Sequence, residues 1–319
     1  MQKIGRSSIF KCDWDTSLAN LNPCLEAYKE IHCDPSAAST LYALGVCLHL
    51  MNDHQQALFT FTECRRIIKN IIPQDTAMLG NLHFWAGQQY LGLGENLKAS
   101  KRLISALRIY KENRSSVGEK VVVETLHLLG QAHTTNKLFN LGLKCFNEEV
   151  LIFGSSSIKY SNTKIAEAHY CAGKICVEIG DFDRAKDCFE KSIEVLNVDS
   201  GEKSERLAKS LEELGAIHSR EKDFAEAITL LTQAKRMYRN VLGSSHPSTA
   251  LSNYKLGQAF LADSQFQQAK QCFKECLLIR ISLLGSDHQD VADTQFALGK
   301  ATFSLSETNE AIYSFQEVS

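Results

Sequence analysis

Leu214-Gly215-Ala216-Ile217-His218-Ser219-Arg220-Glu221-Lys222-Asp223-Phe224-Ala225-Glu226-Ala227-Ile228-Thr229-Leu230-Leu231 carries three marks at fixed spacing. A Leu-Gly pair stands at 214–215, a small residue follows twelve positions after the glycine, and a large apolar residue follows sixteen after it. The same marks return around Gly45, Gly87, Gly130, Gly173, Gly257 and Gly299, so that seven glycines stand 42 or 43 residues apart. The small residues are Ala57, Ala99, Gly142, Ala185, Ala227, Ala269 and Ala311, and the large ones Phe61, Leu103, Phe146, Phe189, Leu231, Phe273 and Phe315. A degenerate eighth copy reads backward from these as Ile4-Gly5, Ser17 and Leu21. Its expected second helix contains Pro23, which should kink or break it.

Within each period the pattern predicts two helices. Leu41, Leu44 and Leu48 recur at helical spacing around the first glycine. A turn is expected seven residues past each glycine, at Asn52, Gly94, Lys137, Gly180, Lys222, Ser264 and Ser306. Asp181-Phe182 and Asp223-Phe224 then open second helices. Where two helices cross closely only a small side chain fits, so the glycine and the alanine twelve residues on are expected to let the backbones approach. The Phe or Leu would fill the space beside them. One such pair cannot bury its apolar faces alone, and neighbours must stack.

Composition agrees. Four prolines in 319 residues leave long runs free to be helical, and 44% hydrophobic with 23% charged residues is ordinary for a folded soluble chain. The formal charge of −2 creates no global field for nucleic acid or an anionic membrane. One local basic excess, Lys98, Lys101, Arg102, Arg108, Lys111, Arg114 and Lys120, reads as a solvated helix face. The 11 cysteines form no C-x-x-C pair, which fits reduced thiols in the cytoplasm, with Cys272 and Cys276 as small buried hydrophobes on one helix face. No apolar run reaches the length of a membrane span. Neither H-E-x-x-H nor a P-loop occurs, and Gly92-Leu93-Gly94 reads as a turn. No catalytic residue, metal or cofactor is expected.

The Leu-Gly, Ala and large-apolar spacing resembles that of the tetratricopeptide repeat family over essentially the whole chain. The long period is similar to the kinesin-light-chain and nephrocystin type, as are the links Leu242-Gly243-Ser244-Ser245-His246-Pro247 and Leu284-Gly285-Ser286-Asp287-His288, with a weaker echo at Gly154-Ser155-Ser156-Ser157. The resemblance implies an all-α, right-handed superhelical solenoid of antiparallel helix pairs. We expect a single array over 1–319: a degenerate repeat at 1–36, repeats at 37–76, 77–119, 120–162, 163–204, 205–246 and 247–288, and an incomplete one at 289–319. The chain opens midway through a first helix and closes inside a second, as a piece of a longer protein would.

In that family the first helices line a concave face, through positions three before, one after and four after each glycine. The resemblance therefore points to Tyr42, His49, Phe84, Gln88, His127, Gln131, Tyr170, Lys174, Tyr254, Gln258, Phe296 and Lys300 as protein-binding residues. Leu261 and Phe303 occupy the third of these positions in the last two copies. The expected role is a non-catalytic scaffold that holds a peptide or helix of a protein partner in the concave groove, with neither nucleic acid nor membrane as partner. The alternative is an assembly subunit that self-associates through open solenoid ends.

Overall fold

Leu- and Ala-rich runs separated by short turns dictate what forms: among the described residues, fifteen α-helices and no strand. The computed structural model describes residues 14–30, 34–71, 76–113, 118–156, 158–197 and 204–316. Ile4, Gly5 and Cys33 lie outside them. The chain divides into two compact units, Met1–Ser157 and Ile158–Ser319.

The first unit holds α1 (Trp14–Glu30), α2 (Asp34–Leu50), α3 (His54–Ile71), α4 (Thr76–Gly92), α5 (Asn96–Glu112), α6 (Glu119–Thr135) and α7 (Phe139–Ser155). The second holds α8 (Asn162–Ile179), α9 (Phe182–Asn197), α10 (Glu205–Arg220), α11 (Phe224–Leu242), α12 (Pro247–Ala262), α13 (Phe266–Leu284), α14 (Gln289–Ser304) and α15 (Thr308–Gln316). Within each unit every helix packs chiefly against its neighbours in sequence, most closely as the pairs α2–α3, α4–α5 and α6–α7, and α8–α9, α10–α11, α12–α13 and α14–α15. The even-numbered helices carry the marked glycines and the odd-numbered ones from α3 onward carry the Ala and Phe marks.

All seven expected turn residues have positive φ, from 59° at Asn52 to 82° at Gly180. The next residue in each turn donates its N–H back five positions, as Asp223 does to the carbonyl of His218 at 2.9 Å. Lys222 donates to the carbonyl of Ser219 at 3.2 Å, completing a Schellman closure of α10. Asp223 then accepts from the N–H of Glu226, and Asp181 from that of Arg184 at 3.2 Å, so the acid before the aromatic caps the second helix. At the longer links Gly243 and Gly285 end α11 and α13 with positive φ. His246 and His288 start the next helices, each Nδ1 accepting a backbone N–H at 3.1 Å.

One expectation is sharpened and one is corrected. The glycines' nearest neighbour is the large residue sixteen on, and in two copies the backbone of the alanine twelve on is close as well: its carbonyl oxygen lies 3.4 Å from a Cβ placed on Gly87 and 3.3 Å from one on Gly215. A Cβ on Gly257 would lie 2.7 Å from the Phe273 ring, one on Gly45 2.6 Å from Phe61, and the same partner sixteen positions later crowds all seven glycines. The alanines are buried on the same stripe, one turn earlier, because i and i+4 share a helix face. Pro23 does not break its helix: α1 runs from Trp14 through to Glu30, since a proline removes one backbone hydrogen bond and leaves those on either side. At the weaker link α7 runs through Gly154 to Ser155.

These contacts predict opposite responses to one chemical change. Gly257→Ala forces a methyl into a ring that is fully buried, so overpacking outweighs the gain in helix propensity and stability falls by about 1 kcal/mol or more. A methyl on Gly154 would meet nothing within 4 Å, and Gly154→Ala raises stability by about 0.5–1 kcal/mol. Lys222→Gly relieves a left-handed lysine and raises stability by about 1 kcal/mol. Thermal unfolding of the three variants beside the parent reads all three signs.

Candidate protein-binding face

Each first helix presents residues three before, one after and four after its glycine along one face, and what packs beside them differs from copy to copy. In the first unit most of these side chains are engaged by the scaffold itself. Trp85 donates its indole N–H to the Tyr42 hydroxyl at 2.9 Å, and the Tyr42 ring stands edge-on to Phe61. Phe84 is buried and packs edge-on to the same indole, with centroids 5.5 Å apart. His49 lies 5.1 Å from Trp85 and hydrogen-bonds Gln89, which also bonds His54 at 2.9 Å. Burial pushes His49 below the usual imidazole range, against the raising effect of Gln89. Gln88 is half-buried, and its Oε1 is enclosed without a hydrogen-bond partner. Gln131 is exposed and donates to Nε2 of His127, which leaves Nδ1 to donate to the Glu149 carboxylate at 3.2 Å.

The second unit is more open. Tyr170 leans on Phe189 at 5.8 Å, and burial raises its phenol above the usual range. Lys174 pairs with Glu213 at 3.0 Å. Glu212, three before Gly215, is only 5% exposed and accepts from Lys255 and from the Tyr238 phenol. Tyr254 packs at 5.8 Å on Phe273, bonds Gln258, and takes the Arg280 guanidinium over its ring at 4.8 Å.

Exposure is greatest on α14. Phe296 is 46% exposed with the Lys300 ammonium 4.4 Å above its ring, and Phe303 is 64% exposed. Leu261, Phe266, Lys300, Phe303, Ser304 and Phe315 line an open groove of about 520 Å³. Phe303 and Leu261 lie on the third of the marked columns, whereas Phe266 opens a second helix and no first-helix periodicity points to it. The twelve candidate residues thus form small local clusters within each unit, and the accessible ones are Gln131, Gln258, Phe296 and Lys300.

The groups this face exposes are aromatic rings, an ammonium and side-chain amides. The nine described cysteines are free thiols. Burial pushes Cys64 and Cys188 up to about 12 and Cys145 and Cys272 up to about 11, the opposite of an activated nucleophile.

A sequence profile of the tetratricopeptide repeat matches residues 3–70, 164–240, 206–280 and 248–319, together more than half of the chain. Among similar proteins, the RxLR effector protein SFI4 of Phytophthora infestans is 27% identical over 235 residues, 70% of this chain and 68% of its own. The apo form of the quorum sensor NprR from B. thuringiensis has a similar fold, with a TM-score of 0.60, 15% identity, and coverage of 98% of this chain and 84% of that one. So do the nearly identical TPR-like repeats of a putative kinesin light chain of Podosopora anserina, with a TM-score of 0.53, 19% identity, and coverage of 61% and 92%.

The raised thiols give a direct check. Cys64, Cys188 and Cys272 should resist iodoacetamide in the native protein at pH 7.5 and react once it is denatured, as read by peptide mass spectrometry. Rapid native labelling of any of them would contradict the burial described above.

Proposed function

The chain belongs to the tetratricopeptide repeat family, and from that premise we propose that it is a non-catalytic scaffold that binds an extended peptide or a helix of a protein partner along its first-helix face. Proteins of this family typically mediate protein–protein interaction. The observation that carries the reading here is the exposed α12–α14 surface, where Phe296 and Phe303 offer large apolar area beside Lys300 and Gln258. Exposed aromatics bring contact area at small entropic cost, and truncating such anchors commonly costs a complex more than about 2 kcal/mol. The amide of Gln258 can both donate to and accept from a bound backbone. The Lys300 ammonium favours a ligand that brings an acid close to its aromatic contact.

The cysteine pattern supports a reducing, cytoplasmic setting. No helix among the described residues is long and apolar enough to cross a membrane. A second reading, self-association, rests on the exposed Phe303, Ile312 and Tyr313 of α14 and α15. It requires dimers in light scattering at high concentration that Tyr313→Ala removes.

The scaffold reading is tested with partner peptides recovered by cross-linking to the native protein. Phe303→Ala and Lys300→Ala should each weaken a recovered peptide about tenfold without lowering the melting temperature, because both side chains are exposed. Leu151→Ala, on an exposed second-helix position, should leave binding intact. Equal binding by all three variants would remove the first-helix face of the second unit as the site.

A further inference from the structure

The basic run around Lys98–Lys120 is not a uniformly solvated face. Some of its cations are paired: Lys98 with Glu95 and Lys111 with Glu148, while nearby Arg66 pairs with Glu63. Arg102 and Arg108 are not, and neither is Arg65 of α3; among the described residues none of the three makes an ion pair. Arg65 and Arg102 reach the same place from different helices. With His83 and Tyr90 of α4 between them, and Leu58, Thr62 and Leu82 around them, they line a cleft whose cavity is about 10 Å³. Nδ1 of His83 is buried there without a hydrogen-bond partner.

This arrangement is costly as it stands. Burial pushes His83 down to about 4, with Arg102, then Arg65 and Arg108, adding to the effect. Burial also lowers Arg65, and the charge of Arg102 lowers it further. Two half-buried guanidiniums repel each other across a cleft that contains no carboxylate among its lining residues. A buried ring nitrogen without a partner adds the desolvation cost of an unmade hydrogen bond. All three costs fall together when an anion enters.

The geometry limits which anion fits. The cavity has room for about one oxygen atom, so the ligand inserts a single oxygen and leaves the rest of its charge at the mouth. Guanidiniums offer paired N–H donors there, in the arrangement that suits a tetrahedral phosphoryl group. A dianion neutralises both arginines, whereas a carboxylate neutralises one. The setting favours a protein carrier over a nucleic acid. Phe59 and Leu97, 70% and 64% exposed on α3 and α5, give apolar surface on the two helices that supply the arginines.

We propose that the α3–α4–α5 cleft of the first unit is a receptor for a phosphorylated side chain of a protein partner, with Arg65 and Arg102 gripping the phosphoryl oxygens and the Nδ1–H of His83 donating to the one that inserts. This site is built from residues of the first unit alone and the α12–α14 surface from residues of the second, so it stands or falls independently of that surface.

Fluorescence anisotropy tests it on the whole chain. The probes are fluorescein-labelled degenerate peptide pools with a central phosphoserine, phosphothreonine or phosphotyrosine, their unphosphorylated twins, and a twenty-nucleotide oligothymidine. At least one phosphorylated pool should bind about tenfold or more tightly than its twin, and inorganic phosphate should displace it. Arg65→Gln and Arg102→Gln should each weaken that pool about tenfold, the size expected for losing a charge-assisted contact. Arg65→Lys should fail to restore it, and Leu151→Ala, at an exposed position outside the cleft lining, should have no effect. Equal binding of phosphorylated and plain pools, tighter binding of the oligothymidine, or unchanged binding by Arg102→Gln would each overturn the proposal. Should Arg65→Gln unfold the unit, as circular dichroism would reveal, Arg102→Gln decides alone.

Discussion

A ring laid on a bare backbone organises each helix pair of this protein. Phe61, Phe146, Phe189, Phe273 and Phe315, with Leu103 and Leu231 in the other copies, each occupy the space where a Cβ would stand on the glycine sixteen residues earlier. Glycine inside a helix costs about 1 kcal/mol. Burying a Phe or Leu side chain returns about 1.5–3 kcal/mol, so the exchange is favourable in every copy. It also fixes register: sliding one helix by a turn along its partner would drive the ring into a side chain. The left-handed turn residue seven positions after the glycine sets how the second helix returns, and the ring sets how closely it lies.

The repeat was legible because all of its parts are set by short spacings along the chain. Glycine, turn, cap, alanine and ring lie within sixteen residues, and each leaves a mark on residue type. Even so, spacing does not say which mark touches which. Alanine and ring share a stripe, and it is the structure that puts the large side chain nearest to every glycine, with the alanine's carbonyl close in two copies. Pro23 misleads for a related reason. Its local preference is weak beside the packing of a whole helix, and α1 extends through it.

The candidate binding face was legible as columns but not as surface. Whether a first-helix aromatic is available depends on residues some forty positions away. Trp85 takes up the hydroxyl of Tyr42, and Glu213 takes up the ammonium of Lys174. Residues on the companion helix matter equally: Glu149 holds His127, and Arg280 covers Tyr254. Nothing in the column pattern separates Tyr254, covered in this way, from Phe296, nearly half of which meets solvent. The difference lies in what the neighbouring helix supplies.

The same reasoning explains how two recognition chemistries can occupy one type of scaffold. The ring-and-glycine contact uses one stripe of each helix, and the stacking of pairs uses another. Positions on the remaining stripes are free to vary without loss of the fold. At α12–α14 those positions are aromatic, amide and cationic. At α3–α5 they bring together guanidiniums from two helices and an imidazole from a third, of which only Arg102 falls in the basic run visible along the chain. A solvated surface cation costs the fold almost nothing. Cations drawn together over a cleft with a buried, unsatisfied nitrogen do cost it, and the contacts that hold the repeat together would form equally well with Gln at 65 and 102. Packing therefore does not account for the arginines, whereas an anion bound from outside does.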